Sequence, residues 1–239
     1  MSEQRHAKEI RDMLKELHLS AIRECFEEKA REAVAQRVGP EGYLKELLDI
    51  ECAQRHQRSR ERRLRESNLP LHKTFETFEL DRFDRKLVRQ VDVLRDGSFL
   101  KRRENVLAFG SPGSGKSHLL SALGHELIRS GNRVLFTSCS LLVQELLRMK
   151  SLLQLDRHLK KLSKYDALII DDIGYVQQSR DEMEVLFTLL AVRYERGSVL
   201  LTSNLAFSKW ESIFKDPMTT AAAIDRLVHH SVILELNVP

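Results

Sequence analysis

Apolar residues recur at helical spacing through the first 66 residues of the chain, and this pattern predicts a helical N-terminal region. A turn at Gly39-Pro40-Glu41-Gly42 interrupts the pattern, and a further helix is predicted from Tyr43. Pro70 cannot continue a helix, so residues 67–75 are predicted to be a linker. Two stripes carry the helical signal, and we interpret both as core: Ile10, Met13, Leu14 and Leu17, then Ile22, Phe26 and Ala30.

Beyond the linker, short apolar runs alternate with segments of helical periodicity. Runs of this kind are typical of strands that are buried on both faces of a parallel sheet, so an α/β fold is predicted. The domains are therefore 1–66 (helical), 67–75 (linker) and 76–239 (α/β). Strands are predicted at 105–109, 133–137, 165–172, 198–204 and 231–236, and helices at 84–94, 118–129, 140–149, 152–163, 181–196 and 219–230. Phe75 and Phe78 are expected to pack at the entrance to this domain, and Trp210 and Phe214 in the core of a short helix.

Composition adds little to this picture. A net charge of +4 is weak evidence for a polyanionic partner. Cys25, Cys52 and Cys139 are odd in number and far apart, which indicates reduced thiols and a cytoplasmic protein. No segment approaches 18 apolar residues, and the first residues lack a signal-peptide core, so neither a membrane span nor export is expected.

The segment from Gly110 to Ser117 fits the phosphate-binding pattern G-x-x-x-x-G-K-[ST]. It lies between a predicted strand and a predicted helix, which is the context that the pattern requires. Glycines let successive N–H groups converge on one anion, and the helix N-terminus adds partial positive charge. We expect Lys116 to reach the β- and γ-phosphates of a nucleoside triphosphate and Ser117 to hold Mg²⁺. The predicted nucleotide-binding residues are Gly110, Ser111, Pro112, Gly113, Ser114, Gly115, Lys116, Ser117 and His118.

A second chemical motif follows an apolar strand, where Asp171 and Asp172 stand side by side. Ligands bind at the carboxyl ends of strands in open α/β sheets. Asp171 is expected to hold Mg²⁺ through water, as the acid of this motif does in P-loop enzymes. Because adjacent strand positions point in opposite directions, Asp172 is predicted to face the γ-phosphate and to orient or deprotonate the attacking water.

Asn204 follows a later strand, beside the two acids. Its amide is predicted to bond the γ-phosphate or the attacking water, although it also suits a helix or turn cap. Paired acids with this amide favour water as the nucleophile over a small-molecule kinase substrate. The adjacent His229 and His230 point in different directions on a helix and lack a carboxylate cluster, so no metal is predicted there.

Two segments are basic. Gln54 to Arg65 carries six arginines and one acid, and suits either a solvated helix face or a phosphate-contacting face. A crossover between two parallel strands needs only one helix, so the predicted helix 152–163 is an additional element. Its pattern suits either a structural insertion or a DNA-facing element.

The order of these motifs resembles the AAA+ ATPases, in the clade of DnaA and DnaC, and within it the IstB-like transposition helper ATPases. The resemblance covers nearly the whole chain. It is carried by Lys73 to Phe78, Asn105-Val106-Leu107, Gly115 to Leu119, Ile169 to Tyr175, Arg193-Tyr194-Glu195-Arg196-Gly197-Ser198, Thr202-Ser203-Asn204-Leu205, and Ala223 to His230.

The resemblance implies a three-layer AAA+ P-loop domain with a central parallel sheet, preceded by a small helical domain. It places Asn204 at the sensor-1 position and Arg226 at the arginine-finger position, reaching ATP of a neighbouring subunit. It further implies a homo-oligomer that assembles with ATP on duplex DNA and assists a cognate transposase; a DnaC-like helicase loader is the alternative. The candidate DNA contacts are Arg148, Lys150, Arg157, Lys160 and Lys161, then Arg58, Arg62 and Arg65. Since Pro239 directly follows the last predicted strand, the C-terminal lid is expected to be reduced or absent.

Overall fold

A computed structural model describes residues 2–173, 179–205, 209–210 and 224–236, with side chains from Arg5 onward. The chain divides into two units, Met1–Arg62 and Arg63–Pro239. The predicted domain limits at residues 66 and 75 stay a prediction. No helix within the described ranges combines the length and the apolar character needed to cross a membrane.

Residues 2–67 form helices, as their periodicity predicts: α1 (Ser2–Glu16), α2 (Ser20–Ala35) and α3 (Pro40–Ser67), of which all but the last five residues belong to the N-terminal unit. Its core holds Ile22, Phe26 and Leu47. The carboxylate of Glu51 accepts hydrogen bonds from the backbone N–H groups of Ala21 (2.8 Å) and Ile22 (3.2 Å), and so caps the start of α2 from α3.

The first apolar stripe is not core. Ile10, Met13 and Leu17 on α1 are 39%, 54% and 64% exposed, and only Leu14 packs against the small core. A unit of this size has too little interior to bury a complete face of each helix. The second stripe behaves as predicted at Ile22 and Phe26, which are buried, whereas Ala30 is half-buried.

The second unit contains a parallel sheet of five strands. A 3₁₀ turn (Leu80–Arg82) comes first, and the remaining elements are α4 (Arg85–Arg95), α5 (Ser98–Lys101), β1 (Asn105–Phe109), α6 (Lys116–Arg129), β2 (Val134–Ser138), α7 (Cys139–Ser151), α8 (Leu155–Leu162), β3 (Ala167–Ile173), α9 (Arg180–Arg193), β4 (Ser198–Ser203) and β5 (Ser231–Glu235). The strand order is β2-β3-β4-β1-β5, and the four neighbouring pairs are parallel.

Alternate residues of the strands pack against opposite helical layers. On β3, Leu168 and Ile170 belong to the core formed with α7, α8 and α9, whereas Ile169 belongs to the core formed with α4 and α6. The predicted three-layer α/β fold is confirmed. Trp210 is fully buried, as expected, and its indole N–H donates to the carbonyl of Leu205 (3.1 Å). Phe214 and the first part of the predicted 219–230 helix lie outside the described residues; residues 224–228 are helical.

Asn105 at the start of β1 joins three segments through its buried side chain. Its Oδ1 accepts from the N–H of Val199 (2.8 Å), and its Nδ2 donates to the carbonyls of Leu227 (3.0 Å) and Arg226 (3.4 Å). The amide therefore connects the amino ends of β1 and β4 to the helical turn before β5.

Replacing Asn105 by alanine should destabilise the fold, because the N–H of Val199 and the carbonyl of Leu227 lose their partner. The expected loss in free energy of unfolding is about 1–3 kcal/mol. Chemical denaturation measures it, with Lys101→Ala at an exposed position of α5 as the control. Equal stability of the two variants would show that the buried amide contributes nothing.

Candidate functional site: a phosphate loop facing two acids

The phosphate loop leaves the carboxyl end of β1 and packs too tightly for side chains at two of its glycines. A Cβ atom on Gly110 would lie 2.6 Å from the carbonyl oxygen of Leu236 and 2.7 Å from Ser114 Oγ. Gly115 has φ +97°, and a Cβ there would lie 2.8 Å from the Arg82 guanidinium. The backbone contact at Gly110 and the positive φ at Gly115 explain why glycine stands at these two positions.

Lys116 begins α6 and is only 5% exposed. Its Nζ donates to the carbonyls of Gly110 and Ser111, both at 2.8 Å, so the amine lies within the turn of the loop. Burial lowers the pKa of Lys116, while the nearby charges of Asp172 and Asp171 act in the opposite direction. The ammonium group and the two carboxylates thus belong to one electrostatic site.

A single hydroxyl organises the two acids. Thr202 Oγ1 on β4 donates to Asp171 Oδ1 (2.6 Å) and accepts from the backbone N–H of Asp172 (2.7 Å). The register between β3 and β4 shifts between Ile170 and Ile173, and Asp172 has φ +60°. The sequence prediction assumed that side chains simply alternate in direction along the strand. That assumption is wrong here, because this irregularity sets the direction of Asp172.

The Asp172 carboxyl has an unusual electrostatic environment. Burial, followed by the charge of Asp171, raises its pKa, and the charges of Lys116 and Lys73 oppose that rise. Lys73 precedes the first strand by many residues, so the segment before the sheet contributes charge to the site. Lys73 belongs to one of the stretches that carry the resemblance, but sequence reasoning did not assign it to this site. Thr202 directly follows the apolar residues Val199 to Leu201 of β4, and this change from apolar to polar is the signal that would have pointed to it.

Asn204 is exposed immediately after β4. Because Ser203 is in register with Phe109 of β1 on one side and with Ile173 of β3 on the other, Asn204 emerges between the phosphate loop and the acids. The structure therefore brings the loop, Asp171, Asp172 and Asn204 to one edge of the sheet. Ser117 is half-buried in the first turn of α6, at the same edge.

An aromatic and cationic cluster supports the outer side of the loop. Phe78 stacks on Phe83 (5.6 Å between centroids) and contacts His118 (5.0 Å), in agreement with its predicted packing role. Arg82 lies over the Phe83 ring (4.8 Å) and donates to the carbonyl of Ser114 in the loop (3.1 Å). Burial lowers the pKa of His118, while its hydrogen bond to the carbonyl of Thr74 acts in the opposite direction. Sequence reasoning missed Arg82, which has no motif of its own.

Arg226 lies away from this edge. Its carbonyl accepts from Asn105 at the amino end of β1, and a strand of five residues separates that end from the loop by about 13 Å. Its guanidinium lies over the ring of Phe187 on α9, 4.4 Å from the centroid. The structure therefore does not place Arg226 beside the phosphate loop of its own chain.

Some of the candidate DNA-contacting residues interact with other side chains. Lys150 pairs with Glu184 (2.9 Å), and Arg58 donates to Ser20 Oγ (2.8 Å). The remaining candidates are exposed at Arg148, Arg157, Lys160, Lys161, Arg62 and Arg65.

The sheet order, with the phosphate loop after β1 and the two acids near the carboxyl end of β3, gives this unit an AAA+ P-loop fold. It resembles AMPPCP-bound DnaA from Aquifex aeolicus, with a TM-score of 0.60 and 19% identity over 72% of this chain and 52% of that chain. At this identity the likeness concerns the fold.

Residues 12–238 match the IstB-like ATP binding protein family, and the chain belongs to that family. It is 42% identical, over 95% of its length and 76% of the relative, to an insertion sequence ATP-binding protein of Sinorhizobium fredii. It is 37% identical, over 96% of its length and 86% of the relative, to an insertion sequence IS21 ATP-binding protein of Pseudomonas aeruginosa. The predicted family is confirmed.

The raised pKa of Asp172 predicts a pH-dependent stability difference. Folding favours the protonated carboxyl, so the ionised form destabilises the fold at neutral pH, and the penalty disappears below the unfolded-state pKa. Asp172→Asn should therefore raise the melting temperature near pH 7, and the difference should shrink to nothing as the pH falls to about 3.5.

Thermal melting of both proteins across this pH range measures the effect. Asp81→Asn, at an exposed position of the 3₁₀ turn, is the matched control and should change little. A constant difference at all pH values would contradict an electrostatic cause.

Proposed function

We propose that the protein is an ATP-hydrolysing AAA+ ATPase that assembles with ATP on duplex DNA and assists a transposase in target selection and transposition. One observation carries this proposal. The phosphate loop, the acids and Asn204 share one edge of the sheet, whereas Arg226 lies near the other edge. A site divided in this way is suited to completion by a neighbouring subunit.

The residues present fit MgATP. Gly110 and Gly115 keep the loop free of side chains at close contacts, and Lys116 is already directed into the turn. A γ-phosphate would replace the two carbonyls as the partner of Lys116 Nζ. Hard oxygen donors suit Mg²⁺, and Ser117 and Asp171 supply them, with Asp171 held by Thr202. The ion would neutralise phosphate charge during hydrolysis.

Three residues have proposed roles in hydrolysis. Asp172 would orient or deprotonate the attacking water, and its raised pKa makes it a better base than an ordinary aspartate. Asn204 would bond the γ-phosphate or the water. Arg226 of an adjacent subunit would stabilise the charge of the transition state, which makes hydrolysis depend on assembly.

Duplex DNA is the proposed surface for assembly. Arg157, Lys160 and Lys161 on α8 are exposed and clustered, as phosphate contacts must be. Lys150 is a weaker candidate than its sequence position suggests, because Glu184 partly neutralises it. A function on DNA would be exercised in the cytoplasm.

Relatives named as insertion sequence ATP-binding proteins favour a transposase as the protein partner. A replicative helicase is the alternative partner, since the fold is shared with the DnaC helicase loader and the replication initiator DnaA. Contact with a transposase or with a helicase distinguishes the two functions.

Assembly on DNA tests the proposal directly. With ATP, the protein should bind duplex DNA and form a larger complex than with ADP or without nucleotide, as measured by fluorescence anisotropy and light scattering. Lys116→Ala should lose this ATP dependence because it lacks the phosphate-binding ammonium. Binding that ignores the nucleotide, or complexes formed only with a hexameric helicase, would overturn the proposal.

Complementation tests the divided site. Arg226→Ala and Asp172→Asn should each be inactive, but a mixture should recover ATPase activity, because some sites receive Asp172 from one chain and Arg226 from its neighbour. Random mixing at equal amounts restores about a quarter of the sites. Steady-state phosphate release measures the recovery.

The control mixture is Asp172→Asn with Lys116→Ala. Both changes affect the same half of the site, so no combination of chains yields an intact site and activity should stay absent. Failure of the first mixture at every ratio would exclude action of Arg226 in trans.

A further inference from the structure

One stretch that carries the family resemblance has no role in the nucleotide site: Arg193-Tyr194-Glu195-Arg196-Gly197-Ser198. It contains a side chain in an unusual environment. Arg193, the last residue of α9, is only 2% exposed. Its guanidinium donates to four backbone carbonyls that belong to three different elements or their ends. A buried arginine whose partners are all carbonyls serves to join backbone segments.

The distances show which segments Arg193 joins. Nη1 donates to the carbonyl of Leu162, the last residue of α8 (3.1 Å). Nη2 donates to the carbonyl of Ser198 at the start of β4 (2.9 Å), with longer contacts to those of Tyr165 (3.2 Å) and Asp166 (3.4 Å) before β3. The end of α8 is thereby connected to the amino edge of the sheet.

Gly197 makes room for this arrangement. A Cβ atom there would lie 2.6 Å from Arg193 Nη2 and 3.0 Å from its Cζ. The backbone of Gly197 does not have a positive φ, so the absent side chain matters here because of space. Arginine, glycine and serine of the motif therefore form one structural unit.

The buried charge is costly to the protein. The carboxylate whose charge acts on Arg193, that of Asp166, accepts a hydrogen bond from the backbone N–H of Arg133 (2.7 Å). Burial lowers the pKa of Arg193 to about 10, and the charge of Asp166 only partly opposes this effect. An apolar side chain would fill the same space without that penalty, but it would not satisfy the carbonyls at the end of α8.

Helix α8 depends on such an anchor. It has only eight residues, and an isolated helix of that length is unstable in water. Leu159 and Leu162 are buried on one side, and Arg157, Lys160 and Lys161 are exposed on the other. Anchoring the last turn thus also determines where the three cations stand.

We propose that Arg193 is a positioning residue that fixes α8 to the sheet, so that Arg157, Lys160 and Lys161 meet the phosphates of duplex DNA. This inference rests on the proposed DNA-binding function. It assigns a role to a motif outside the nucleotide site.

The variants Arg193→Lys and Gly197→Ala test this role in the full-length protein. Lysine keeps the charge but not the planar fork, and alanine at residue 197 displaces the guanidinium without removing it. Both should speed hydrogen–deuterium exchange in residues 155–162 and weaken ATP-dependent duplex binding about tenfold, with a smaller salt dependence. Affinity for a fluorescent ATP analogue should stay within about twofold of that of the unaltered protein.

Two further variants separate positioning from general destabilisation. Ile169→Val trims the core on the α6 side and should lower the melting temperature without affecting DNA binding. The double change Lys160→Ala and Lys161→Ala should weaken DNA binding while exchange in α8 stays unchanged. If Ile169→Val lost as much DNA affinity as Arg193→Lys and Gly197→Ala, Arg193 would act only through general stability, and the proposal would be overturned.

Unchanged exchange in α8, or unchanged duplex affinity despite faster exchange, would also overturn it. If the unaltered protein fails to bind duplex DNA, the proposed function fails and the DNA-positioning role fails with it. That failure is visible before any variant is made, and exchange then decides alone whether Arg193 anchors α8.

Discussion

The parallel pairing of β4 with β1 on one side and with β3 on the other is the constraint on which the site depends. Because Ser203 is in register with both Phe109 and Ile173, the ends of three strands converge. The phosphate loop, the acids and Asn204 are far apart in the sequence, yet this pairing brings them to the same place. Thr202 refines this arrangement, since its hydroxyl bonds both Asp171 and the backbone of Asp172.

The same sheet separates two chemical regions. Its carboxyl edge carries the groups that suit ATP, and its amino edge carries Asn105, Arg193 and the turn that bears Arg226. In the function we propose, the first edge would hold nucleotide while the second would serve a neighbouring subunit and the DNA-facing helix α8. Two buried side chains join backbone segments at the amino edge. Arg193 donates to carbonyls of separate segments, and Asn105 donates to the carbonyl of Leu227 while it accepts from the N–H of Val199.

Much of this architecture could be predicted from sequence, because strong local signals agreed with one another. Apolar runs placed each strand within a few residues, and the glycines and Lys116 predicted the loop. The prediction was wrong for the α1 stripe, whose Ile10 and Met13 are exposed. Periodicity shows which residues share a helix face, but it does not show whether a partner is available to cover that face.

The sequence by itself determined the order of elements, the phosphate loop and the identity of the acids, since these depend on residue type and local spacing. Tertiary structure alone decided how Thr202 bonds the acids, how the register shift directs Asp172, and where Arg82 meets the loop. It also decided that Arg193 is buried on four carbonyls. These features join residues distant in sequence, and their geometry exists only once the sheet has formed.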